Sequence, residues 1–96
     1  MVYIEDDIHC EQDGPFETFE HAVAELRNRS SLSWDAPPNR TPCTSWRTCG
    51  RQYRVIEYDE RSEPWKVLRD VHVLDVSAKA IVWVEGFEQA WAAGAG

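Results

Sequence analysis

The chain lacks any apolar run long enough to cross a membrane; nothing approaches the ~18 consecutive apolar residues a span requires. Its opening, MVYIEDDIHC, lacks the basic and apolar regions of a secretory signal. The expectation is a cytoplasmic protein with no membrane partner and with its thiols reduced. Basic residues are scarce: ten Lys and Arg stand against 17 Asp and Glu, a net charge of −7. That balance disfavours diffuse binding to extended nucleic acid or to an anionic bilayer.

The familiar motifs of catalysis are missing too. There is no Ser elbow, no H-E-x-x-H, no phosphate-cradling glycine loop, no dinucleotide fingerprint and no D-x-D-x-D-G calcium loop. The three cysteines, Cys10, Cys43 and Cys49, offer no C-x-x-C. Six residues on from Cys43 stands Cys49, and six on from Cys49 stands Val55, so the C-x5-R phosphatase loop fails twice. A zinc site prefers closely paired ligands, and the five residues between Cys43 and Cys49 match no common knuckle. The expectation is no cofactor and no metal. The alternative is a thiol- or zinc-dependent enzyme, or a redox protein, built on Cys43 and Cys49.

What is present is one globular domain. Ninety-six residues suffice for a single core, and five Trp, three Tyr and three Phe can fill it. Val2, Ile4 and Ile8 suggest a first strand over about residues 1–10, with DGP at 13–15 as a turn signal. Phe19, Ala22, Val23 and Leu26 recur at i, i+3, i+4 and i+7, the stripe of an amphipathic helix. Thr18 suits its N-cap, and Arg27 and Arg29 suit the negative end of its dipole. The helix is expected to end near Ser30.

Residues 31–50 have neither period and read as a long loop, rich in Pro, Ser and Thr. RQYRVIEYD at 51–59 and WKVLRDVHVLDV at 65–76 alternate as strands, and IVWV at 81–84 returns as a third. On strict alternation Tyr53 and Val55 share one face. Val71 and Val73 share a face of the next strand, opposite Leu74 and Val76. Phe87, Ala90 and Trp91 form a short apolar face on a last helix. The order β-α-loop-β-β-β-α predicts an α+β domain, a mostly antiparallel sheet with helices packed on one face. Residues 92–96 are expected to fray.

The charge distribution singles out one segment. Between Ala36 and Ile56 stand Arg40, Arg47, Arg51 and Arg54 and no acid, so this window carries +4 and the remainder −11. Guanidinium forks suit carboxylate and phosphate. Trp34, Trp46 and Tyr53 add flat apolar faces. The segment 34–54 is therefore the candidate binding site, with Arg40, Arg47, Arg51, Arg54, Trp34, Trp46 and Tyr53 as its residues. The function expected is a non-catalytic binding or accessory domain whose partner is a protein or a small anionic ligand. A homodimer paired through sheet edges or Trp faces is a further alternative. The competing structural reading is that the arginines pair with the protein's own acids. If the loop reaches the EDD cluster at 5–7 or EYDE at 57–60, its charge is already neutralised.

Overall fold

The computed structural model describes residues 1–41 and 50–94. Cys43, Trp46, Arg47 and Cys49 lie outside them. The elements run β1 (Val2–Asp6), β2 (Glu11–Phe16), α1 (Phe19–Ser30), β3 (Gly50–Asp59), β4 (Lys66–Ser77), β5 (Ile81–Trp83) and α2 (Phe87–Ala93). The strands form one sheet in the order β2-β1-β3-β4-β5, with antiparallel neighbours throughout. The α+β class stands, with one strand more than the sequence pattern gives. Among the described residues no helix is long and apolar enough to cross a membrane.

The extra strand is β2. DGP at 13–15 is not the turn. The register passes from Val2 opposite Phe16 to Ile4 opposite Asp13, so Gly14 and Pro15 face Tyr3 as a β-bulge. Gly14, at φ +137°, adopts a conformation that residues with a side chain rarely take, and a Cβ there would meet the Tyr3 ring at 3.0 Å. The turn lies earlier, at residues 7–10. Ile8 N–H donates to Asp6 Oδ1 at 3.1 Å, and Cys10 takes φ +54°. The first strand is accordingly shorter than the 1–10 expected. No apolar period marks β2, because five of its six residues are exposed.

Helix α1 begins and ends where its signals lie. Thr18 Oγ1 accepts from His21 N–H at 3.2 Å. Ala22, Val23 and Leu26 are buried against the sheet. Phe19 stacks on Trp91 at 4.4 Å and 16°, which joins α1 to α2 on the same face. The core between helices and sheet holds Val2, Ile4, Tyr53, Val55, Val71 and Val73 with them.

Strict alternation fails along β4, which has two more residues than β3. Tyr53 faces Leu74 but Arg54 faces His72, so Val73 is extra. Glu57 faces Arg69 but Tyr58 faces Val67, so Leu68 is extra. The first bulge puts Leu74 and Val76 into the same core as Val71 and Val73. It leaves His72 and Asp75 together as a half-buried pair, with Nε2 and Oδ1 2.6 Å apart.

Among the described residues the opposite sheet face carries no helix. Tyr3, Tyr58 and Trp65 pack there with ring centroids 5.5–5.7 Å apart. Tyr3 donates to Glu60 at 2.8 Å and Tyr58 donates to Glu5.

Candidate functional site

Arg51 lies on β3 two residues before Tyr53, so the pleat points both toward the helices. Arg51 is 7% exposed, and its guanidinium meets three separate stretches of chain. Nη1 donates to Asp6 Oδ2 at 2.9 Å and also to Glu11. Nε donates to the Asn39 carbonyl at 3.0 Å, and Nη2 to the Arg40 carbonyl at 2.6 Å.

Asp6 completes the arrangement from below. Oδ1 accepts from the backbone N–H groups of Ile8 and Gln52, each at 3.1 Å. Oδ2 lies 2.6 Å from His9 Nδ1 as well as beside Arg51. The carboxylate thus has four partners at 3% exposure.

A second arginine flanks the first. Arg29, near the end of α1, donates Nε to Glu25 at 2.6 Å and lies 3.0 Å from Asp13 through Nη2. Its guanidinium sits 5.2 Å from the Tyr53 ring centroid. Between the two arginines lies Asn39, 1% exposed. Its amide donates to the Arg29 carbonyl at 2.8 Å and the Ser33 carbonyl at 3.2 Å, and its oxygen accepts from Tyr53 Oη at 3.1 Å. A cavity of about 90 Å³ remains beside Asp6, Glu11, Arg29, Arg51 and Tyr53. Among the described residues no buried side-chain nitrogen or oxygen lacks a hydrogen-bond partner.

This network ties down the loop. Residues 33–41 make successive turns, with Ala36 N–H donating to the Ser33 carbonyl and Asn39 N–H to the Ala36 carbonyl. Asn39 and Arg51 then hold them to helix and sheet. On the far side of residues 42–49, Gly50 presses against β4 so closely that a Cβ would lie 2.5 Å from the Val76 carbonyl oxygen. The described residues on either side of 42–49 are therefore held against helix and sheet.

The residues singled out in the sequence are dispersed by the fold. Arg51 and Tyr53 are internal. Arg54 lies on the open sheet face, with Nε 2.7 Å from Asp70 Oδ1. Trp34 is half-buried and packs against the core. Arg40 is exposed. Trp46 and Arg47 fall outside the described residues. Arg29, Arg51, Arg54, Arg61 and Arg69 all face carboxylates of this chain. Asp6, Glu11 and Asn39 went unremarked as site residues. The available signals were the EDD cluster and the placement of Arg51 on the face of Tyr53 and Val55.

Asp6, His9 and Glu11 also bring one ligand atom each within 4.8 Å of one another. Arg51 Nη1 already bonds both carboxylates there, so a divalent cation would have to displace a guanidinium. The arrangement suits an ion-pair hub better than a metal centre. Cys10 is exposed on the adjoining turn, and Cys43 and Cys49 lie outside the described residues.

All three tyrosines resist ionisation. Burial and the bond to Glu5 push Tyr58 well above its ordinary 10.0. The bond to Glu60, then burial, raises Tyr3. Burial raises Tyr53 against the opposing pull of Arg29 and Arg51. The folded state therefore holds these protons more tightly than the unfolded chain does. Their contribution is complete below pH ~10, where unfolded tyrosine is protonated, and is lost as pH rises above it. Absorbance at 295 nm should show phenolate appearing together with unfolding above that pH, later than in free tyrosine. Titration of all three at the free value in the folded protein would contradict this.

Comparison with protein-family models, with curated proteins and with solved structures finds no match to this chain.

Proposed function

We propose that the protein is a non-catalytic binding domain that presents the segment between Asn39 and Arg51 to a protein or small anionic partner. One observation carries this reading: the buried Arg51 guanidinium grips the Asn39 and Arg40 carbonyls while Asp6 and Glu11 hold it. A buried ion pair adds little net stability over an apolar replacement. What it supplies here is position for the Asn39 and Arg40 backbone, which carries the exposed Arg40 side chain. Backbone already held in place reduces the ordering cost of binding, and Trp and Arg are common anchors of interfaces.

This reading separates two kinds of arginine. Arg51 is the support, and Arg40 and Arg47 are the contacts. Calorimetric titration with inorganic phosphate, a nucleoside monophosphate and a blocked glutamate-rich peptide tests it. At least one probe should bind, and replacing Arg40, Trp46 and Arg47 together by Ala should weaken it by about tenfold or more. The melting temperature should stay within about 2 °C of the parent. Failure of all three probes, or equal binding by the variant, overturns the proposal.

A further inference from the structure

The cavity of about 90 Å³ lies between two arginines that the fold buries and two carboxylates that it does not. Arg29 and Arg51 are both buried. Their partners on β2, Asp13 and Glu11, have side chains 54% and 49% exposed. Asp6 and Tyr53 also line the cavity and are buried. The volume is that of about three waters, on the scale of one small oxyanion.

Neither arginine depends on β2 alone. If Glu11 leaves, Arg51 keeps Asp6 and the Asn39 and Arg40 carbonyls. If Asp13 leaves, Arg29 keeps Glu25 and its place over the Tyr53 ring. β2 is an edge strand, so both acids can rotate into solvent while its ladder to β1 stays paired. Each guanidinium would then have an N–H freed and its position unchanged. With Glu11 and Asp13 in place, three acids line the cavity against two arginines; without them only Asp6 remains, and it already has four partners. Glu25 does not line the cavity. Fixed guanidinium donors bind oxyanions through charge-assisted hydrogen bonds at a low ordering cost. Two negative charges leave, so a dianion restores the balance. We propose that Arg29 and Arg51 form a binding site for a small dianionic oxyanion, sulfate or hydrogen phosphate in kind, which Glu11 and Asp13 occupy from within until the ligand displaces them. Arg51 remains the support of residues 39 and 40, and the site is separate from the contacts at Arg40 and Arg47.

Sulfate is the probe, added at constant ionic strength against chloride so that screening does not change. The Nε–Hε resonances of Arg29 and Arg51 in the parent chain should shift as it is added. Glu11→Gln together with Asp13→Asn removes the internal competitors and should tighten sulfate by about tenfold or more. Glu17→Gln together with Glu20→Gln removes the same charge at the other end of α1, and should change the affinity by less than about twofold. Arg29→Gln should weaken it by about tenfold or more. Circular dichroism checks that each variant remains folded. Resonances of both arginines that stay still up to about 50 mM sulfate, an affinity unmoved by the Glu11 and Asp13 changes, an equal gain in the Glu17 and Glu20 pair, or an Arg29→Gln chain that binds as the parent does overturns the proposal. Replacing Arg40, Trp46 and Arg47 should leave this binding in place, so failure here and failure at that segment are read separately.

Discussion

Replacing Arg51 by Met should cost about 3–5 kcal/mol of folding stability, the range for removing one partner of a buried ion pair. The methylene stem keeps most of its packing, so the loss reports the guanidinium. Asp6, at 3% exposure, would keep His9 and its two backbone donors but lose the Arg51 guanidinium. The Asn39 and Arg40 carbonyls would lose their donors. Against a total stability of roughly 5–15 kcal/mol, the variant should melt roughly 15–30 °C lower. Replacing Asp6 by Asn as well should cost less than the sum of the two single changes, because the stranded charge is gone. Urea denaturation of the three variants measures this. A midpoint for Arg51→Met indistinguishable from the parent's would mean that the buried cation holds nothing.

The second large loss is expected at Asn39. Its amide serves two carbonyls and its oxygen serves the Tyr53 hydroxyl, so Asn39→Ala takes one bond from each of three groups. The Arg29 and Ser33 carbonyls keep the Leu32 and Ala36 N–H groups, so with ~1–3 kcal/mol for a buried group left without a bond and about 1 kcal/mol for each further bond lost, the change should cost about 2–4 kcal/mol. Tyr53→Phe removes only one of these bonds and keeps the ring under Arg29. It should cost about 1 kcal/mol. The order of these two variants is the test. Were Tyr53→Phe as damaging as Asn39→Ala, the Asn39 amide would not be what fixes residues 33–41. Hydrogen exchange in those turns should rise in Asn39→Ala and stay near the parent in Tyr53→Phe.

How much of this was legible depended on whether a residue's neighbours in sequence are also its neighbours in space. Helix α1 was, because Thr18, the apolar stripe at 19–26 and the arginines at 27 and 29 all act within a few turns. The strands β3 and β4 were legible as strands from their alternation. Their relative register was not, since the extra residues Val73 and Leu68 show only when β3 is laid beside them. Strand β2 could not be read at all. Its alternate residues Glu11 and Asp13 are held by Arg51 and Arg29, from β3 and α1, rather than by burial of apolar side chains. The arginine excess of residues 36–56 was visible in composition. That Arg51 turns inward was implicit in its place two residues from Tyr53, yet Asn39 gave no sign beyond being one asparagine in a polar loop.

The arrangement around Arg51 also carries an order in time. Its partners Asp6, Glu11, Asn39 and Arg40 lie 45, 40, 12 and 11 residues away. The nearest contacts in sequence depend on the farthest, because the guanidinium can point at the loop only once β1 has brought Asp6 alongside β3. Local turns at 33–41 therefore wait on a pairing between the first residues of the chain and the middle of it, and that closure of a long loop is slow compared with forming α1. The segment next to residues 42–49 should be the last described part to settle after unfolding. It should also be the first to let go when β1 loosens.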